Sequence, residues 1–154
     1  MSKSNNAERK NRILIADDNT LNQELIEAFL AGRNYEIDFA NDGRETLDKV
    51  SAFKPDLILL DVMMPKLSGF EVCESLKKNP ETKSIMVLMI TALSELGDIE
   101  RAVSAGCDDY LSKPVNKVEL LKRVETMLKY KDIDDENERL KQYIDSMEEQ
   151  MRTK

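Results

Sequence analysis

The chain has 154 residues, about one domain's worth, with 23 basic against 30 acidic side chains, a net charge of −7 and no histidine. Without an imidazole of its own it can carry no Ser-His-Asp triad, no Cys-His dyad, no His-ligated zinc and no phosphohistidine, so any histidine chemistry must come from a partner. A hydrophobic content of 41% supports one core of ordinary size, while 34% charged residues and a pI near 4.8 argue against a general nucleic-acid or anionic-membrane surface.

Residues 1–11 are polar and aperiodic and read as a mobile lead-in without a signal-peptide pattern. From Arg12 to Tyr130, short apolar runs alternate with stretches of helical periodicity. Ile13–Ala16 precedes Leu21, Leu25, Ile26 and Phe29; Tyr35–Phe39 precedes Leu47, Val50 and Phe53. Leu57–Leu60 precedes a helix around Phe70–Lys78, Ile85–Ile90 one around Ile99–Ala105, and Tyr110-Leu111 one from about Asn116. Gly32, Gly43, Pro55, Gly69, Pro80, Gly106 and Pro114 punctuate these elements, and Gly97 predicts a loose first turn in the fourth helix. Apolar strands separated by helices pair in parallel, with helices on both faces. The expected fold is α/β, a flavodoxin-like doubly wound sheet of five parallel strands in the order 2-1-3-4-5.

Cys73 and Cys107 form no C-x-x-C arrangement, and the longest apolar run, Ile85–Ile90, is too short to span a bilayer. Buried free thiols in a reducing cytoplasm, with no membrane insertion, are the expectation.

In an open parallel sheet, function collects outside the C-terminal ends of the strands. Asp17 and Asp18 follow the first strand, Asp61 the third, Thr91 the fourth and Lys113 the fifth, whereas the second, ending in Ala40-Asn41, adds nothing similar. Three neighbouring carboxylates repel one another unless a cation shares the site. Mg²⁺ suits such a site, because it takes oxygen ligands from one or two carboxylates and phosphate oxygens. The remaining carboxylate can then be the nucleophile of an acyl phosphate, with Lys113 and Thr91 orienting the phosphoryl oxygens.

The motifs ILIADDN, LLDVMMPKLSGFE, MITA and DYLSKP, in this order and spacing, resemble the receiver domain of bacterial response regulators over about residues 12–130. The resemblance implies that Asp61 is the phosphoacceptor, that Asp18 and Asp61 ligate Mg²⁺ with Asp17 helping through a water, and that Met63 contributes its backbone carbonyl. It also implies that Thr91 hydrogen-bonds the phosphoryl group beside the small Ala92, and that Lys113, ahead of a cis Pro114, forms the ion pair. Thr91 and Tyr110 would be the switch, acting on the face of the fourth helix, fifth strand and fifth helix. The implied donor is a sensor histidine kinase or a histidine phosphotransfer protein. Met63 and Leu93 flank the expected water path; both are apolar, which predicts slow spontaneous dephosphorylation. The alternatives are a Mg²⁺-dependent aspartate-nucleophile phosphohydrolase, opposed by Met63 where that family has a second Asp, and a non-switching dimerisation scaffold.

The forty residues after Pro114 contain no Gly or Pro, and the last helix is expected to overrun the domain as an extension over 131–154. Leu121, Val124 and Leu128 would face the sheet. A second stripe, Ile133, Asn137, Leu140, Ile144, Met147 and Met151, repeats at spacings of four and three. On one continuous helix it lies about 140° around from the first. With Ile133, Leu140 and Met147 at d positions and Asn137, Ile144 and Met151 at a positions, it predicts a parallel homodimeric coiled-coil stalk leading to an output module outside this chain.

Overall fold

A computed structural model describes residues 10–92 and 96–131 together with 140, 144, 145 and 147–151. Among the described residues up to 131, five strands alternate with five helices: β1 (Asn11–Ala16), α1 (Thr20–Leu30), β2 (Tyr35–Ala40), α2 (Gly43–Phe53), β3 (Leu57–Leu60), α3 (Gly69–Lys78), β4 (Met86–Thr91), α4 (Leu96–Ala105), β5 (Asp109–Ser112) and α5 (Lys117–Tyr130). The strands pair in parallel in the order β2-β1-β3-β4-β5, as the alternation of apolar runs and helices requires.

Side chains alternate across the sheet and divide the core in two. Ile13, Ile15, Leu57, Leu59, Leu88 and Ile90 point to one face and pack with Ile26 and Leu30 of α1 and Leu121, Val124 and Leu128 of α5. Leu14, Ile58, Leu60, Val87 and Met89 point to the other, against Val50 of α2, Phe70, Val72 and Leu76 of α3, and Ala102 and Ala105 of α4. Every residue of β3 and β4 is buried, as expected for interior parallel strands. The edge strands β2 and β5 are only partly covered, so burial on both faces holds for the interior of the sheet and not for its margins.

Helix starts are written locally. Asn19, Asp42, Ser68 and Asn116 each accept a backbone N–H of the first turn, and Ser68 and Glu71 form a reciprocal capping box. At the end of the sheet remote from the acidic cluster, Lys77 Nζ donates to the carbonyls of Lys83 and Ile85 and to Asp108 Oδ2 at 2.9 Å. That ammonium ties α3 to the entries of β4 and β5. Both cysteines are free; burial pushes each thiol up to about 12. No helix among the described residues is long and apolar enough to cross a membrane.

One expectation is corrected. The fifth helix ends at Tyr130, and Arg123 Nη1 lies 3.5 Å from Met147 Sδ. At 1.5 Å per residue an unbroken helix would hold those two residues about 36 Å apart. The chain therefore does not run from the domain through Met147 as one straight stalk. Ile133 and Asn137 of the expected stripe lie outside the described residues. Leu140, Ile144 and Met151 are exposed, and Met147 is half-buried against the core face of α1 and α5.

Candidate functional site

At the C-terminal edge of the sheet, parallel pairing sets Ala16 beside Leu60 and Ala40, so the residues that follow these strands emerge together. Asp17 N–H donates to the Ala40 carbonyl at 3.0 Å and Asp61 N–H to that of Ala16 at 2.9 Å. The ladder thus continues one residue past the strands and delivers both acids to one place. Carboxylate oxygens of Asp17, Asp18 and Asp61 lie within 4.8 Å of one another; Asp17 and Asp61 are buried and Asp18 is exposed.

Each buried carboxylate is held at both oxygens. Asp17 Oδ1 accepts from Asn19 N–H at 2.9 Å and Asp61 Oδ1 from Met63 N–H at 3.1 Å. Their Oδ2 atoms share Lys113 Nζ, at 3.2 Å from Asp17 and 3.1 Å from Asp61. Lys113 N–H in turn donates to the Thr91 carbonyl at 2.8 Å, and the Lys113–Pro114 peptide is cis. Burial raises the Asp61 carboxyl above its ordinary range; Met63 N–H and Lys113 oppose this and Asp17 adds to it. Burial would by itself lower the Lys113 ammonium, but the carboxylates of Asp61 and Asp17 outweigh it and leave it raised. Three acids and one ammonium leave an excess of negative charge. The donor set is oxygen only, and exposed Asp18 stands at its open side. That combination fits a hard, partly hydrated divalent cation better than a soft one.

Gly69 is required beside this cluster. A Cβ there would lie 2.5 Å from the Asp61 carbonyl oxygen and 2.8 Å from Val62 Cα. Only glycine lets the first turn of α3 close against the loop that carries Asp61, where Gly69 N–H donates to the Val62 carbonyl at 2.9 Å.

Thr91, 6% exposed, ends β4, and exposed Ala92 follows it. Thr91 and half-buried Tyr110 border one small cavity with Val62, Phe70, Met89 and Ala102. Its volume of about 10 Å³ approaches the minimum for one water. Met63 is 63% exposed, and Leu93 lies outside the described residues. The structure thus brings Asp17, Asp18, Asp61 and Lys113 into one cluster and sets Thr91 and Tyr110 on the adjoining strands. The stripe assigned to a stalk is not part of this site.

Gln23 was not singled out by the sequence. It is buried on α1, and its Nε2 donates to the Asp17 carbonyl at 2.6 Å and to Asn41 Oδ1 at 2.8 Å. Asn41 is tied by its N–H and Nδ2 to Glu45 Oε1. The end of β2, which offers no charged group, thereby braces the backbone of the acidic loop. Its only trace in the sequence is a polar residue where α1 turns inward.

Residues 13–125 match the family described as "Response regulator receiver domain". The chain is 43% identical over 125 residues to "Response regulator PleD" from Caulobacter vibrioides, covering 81% of this chain and 28% of PleD. It spans about half the length of several other curated relatives, among them "Response regulator MprA" from Mycolicibacterium vanbaalenii, at 40% identity over 80% of this chain and 53% of that protein. Among solved structures, a response regulator from Chloroflexus aurantiacus superposes with a TM-score of 0.74 at 33% identity, over 78% of this chain and 98% of that one. The receiver domain of the sensor histidine kinase PA1611 from Pseudomonas aeruginosa, solved with a magnesium ion coordinated in its active-site cleft, superposes with a TM-score of 0.72 at 28% identity, over 78% and 98% of the two chains.

Proposed function

This chain belongs to the family of response regulator receiver domains, and from that membership we propose that it is a signalling switch operated by phosphorylation of Asp61. The single observation that carries the assignment is the shared ammonium: Lys113 Nζ bridges Asp61 to Asp17 in a cluster of three carboxylates. The phosphoryl donor is a phosphohistidine on a sensor kinase or a phosphotransfer protein, since the chain has no histidine of its own. A carboxylate oxygen of Asp61 bonds to phosphorus while the bond from phosphorus to the donor's ring nitrogen breaks, leaving an acyl phosphate on Asp61 and imidazole on the partner.

Asp17, Asp18 and Asp61, with the backbone carbonyl of Met63, would hold Mg²⁺, which when bound offsets the negative charge of the acids and of the incoming phosphoryl oxygens. The residues fit that ion in donor type and charge. Lys113 pairs with a phosphoryl oxygen as it now pairs with Asp61 Oδ2, and Thr91 supplies a hydroxyl. Asp17 is kept in place by Gln23 and Asn19. Intact-mass measurement after treatment with acetyl phosphate and Mg²⁺ tests the proposal. One phosphoryl group on Asp61 is expected, and its appearance on another residue would overturn the assignment.

The Thr91 hydroxyl and the Tyr110 ring form the switch. The cavity that both border, about 10 Å³, is far smaller than a phenol, so inward movement of Tyr110 requires Thr91 to leave its present place and Phe70 or Ala102 to yield. A charge change at Asp61 is thereby converted into a packing change on the face of α4, β5 and α5. We further propose that the apolar stripe of residues 133–151 pairs in parallel with a second copy. Exposed Leu140, Ile144 and Met151 support this, because apolar side chains at helical spacing gain most from cover.

The phosphoryl group should be lost slowly, because exposed Met63 cannot orient an attacking water. Met63→Asn is expected to shorten the phosphoryl half-life several-fold, followed as decay of the radiolabelled protein after donor removal. An unchanged half-life would locate the barrier elsewhere.

A further inference from the structure

The short segment 147–151 rests on α5 of its own chain. Met147 packs at the margin of the core face of α1 and α5, Arg123 Nη1 reaches its sulfur at 3.5 Å, and Gln150 Nε2 donates to Thr126 Oγ1 at 3.0 Å. Between segment and helix lies a cleft of about 270 Å³ bordered by Val118, Glu119, Lys122 and Met151. The seat is shallow. Leu140 remains 56% exposed, Ile144 46% and Met151 69%, so docking partly covers one, Met147, of the four apolar side chains described in this stripe.

Those same four residues are two d positions, Leu140 and Met147, and two a positions, Ile144 and Met151, of a heptad stripe. A parallel partner needs the whole stripe free and in line, whereas docking turns Met147 away into the core margin. We infer that α5 and a second copy of this chain compete for one apolar stripe: residues 147–151 either lie on α5 within a monomer or, with Leu140 and Ile144, pair with the same residues of another copy. The second copy is favoured as the alternative occupant because docking leaves three stripe members bare, and pairing covers them. Arg123, which anchors Met147, is also bonded to Asp109 Oδ2 at 2.8 Å, next to Tyr110. The docked segment therefore sits on the flank that a rearrangement of β5 would disturb. The inference rests on the pairing proposed above and is independent of the chemistry at Asp61.

Spin labels on Lys117→Cys and Glu148→Cys of the full chain test it, both sites being exposed and outside the cleft. The native thiols, Cys73 buried and Cys107 half-buried, are both pushed up to about 12 by burial and are expected to label far more slowly than the two exposed sites. With labelled chains diluted into unlabelled ones, the docked monomer is expected to give an intramolecular separation under about 30 Å, against about 46 Å for a continuous helix. Thr126→Val keeps the side-chain shape and removes the acceptor for Gln150. It is expected to shift the population to the longer distance and to raise the dimer fraction in sedimentation velocity several-fold. Absence of the short distance in the parent chain overturns docking. Release by Thr126→Val without a rise in dimer overturns the competition and the pairing, and leaves the Asp61 assignment standing. A variant that changes neither readout shows that the Gln150 bond does not hold the segment, and overturns the inference as stated.

Discussion

Asp61→Asn is expected to abolish phosphoryl uptake from acetyl phosphate or phosphoramidate, read as complete loss of the mass increment that the parent chain acquires. An amide at this position is a poor nucleophile toward phosphorus and carries no charge for a divalent cation to share. The neighbouring acids do not replace it: the Asp17 carboxylate is occupied by Asn19 N–H and Lys113, and Asp18 is exposed. The variant keeps the shape of the site, because an Asn carbonyl oxygen can still accept from Met63 N–H or lie near Lys113. It is therefore expected to fold normally, and loss of phosphorylation can be assigned to chemistry.

The same substitution is expected to stabilise the metal-free protein at neutral pH. Burial, and to a smaller extent Asp17, raises the Asp61 carboxyl above its ordinary value despite Met63 N–H and Lys113. For an acid so shifted, the folded state binds the proton more tightly than the unfolded state. Its contribution to stability is complete below the ordinary carboxylate range and is lost as the pH rises through the raised value. At neutral pH the ionised group is a cost that Asn removes. Melting curves in EDTA should show the variant above the parent at pH 7.5, and the gap should close as the pH falls below about 4. With Mg²⁺ added, the parent should recover ground relative to the variant. A variant less stable than the parent in EDTA at both pH values would mean that the Lys113 pair outweighs desolvation.

Much of this site was legible because a doubly wound sheet fixes where strand ends meet. Once Ile13–Ala16, Leu57–Leu60 and Ile85–Ile90 are recognised as interior strands, the acids that follow the first and third must lie together, and Lys113 must arrive from the edge. The role of Gln23 was not legible. Its two bonds join α1 to the β1 exit and to Asn41, 18 residues away, and no local pattern announces such a brace. Gly69 announced a turn but not the reason for it, which is the approach of α3 to the Asp61 backbone. The C-terminal segment shows a different limit. Periodicity gives a stripe's spacing, but placing it 140° from Leu121, Val124 and Leu128 assumed one continuous helix. The contact between Arg123 and Met147 removes that assumption. What covers an apolar stripe depends on its competing partners, and those are set by tertiary contacts.

Lys113→Met is expected to lower stability in EDTA by about 3 kcal/mol, the lower end of the cost of breaking a buried ion pair. The lower end applies because the Lys113 side chain is itself 22% exposed, although the Asp17 and Asp61 side chains it serves are only 3% and 7% exposed. Met preserves the length of the stem, so packing changes little and the loss reports charge. Burial alone would depress the ammonium, but the carboxylates of Asp61 and Asp17 raise it above its ordinary value. Its contribution is then fully present below the ordinary lysine range and disappears only as the pH climbs through the raised value. The deficit of Lys113→Met should therefore stay level through neutral pH. It should shrink in acid, where Asp17 and Asp61 take up protons and no longer need a partner. Saturating Mg²⁺ should restore part of it by supplying the missing positive charge to the same oxygens. Combining Lys113→Met with Asp61→Asn should cost less than the sum of the separate effects, because the lysine then leaves one ionised buried carboxylate unpaired and not two. Urea midpoints of the four proteins in EDTA give the coupling directly. Strict additivity would break the link between Lys113 and Asp61 on which the proposed switch depends.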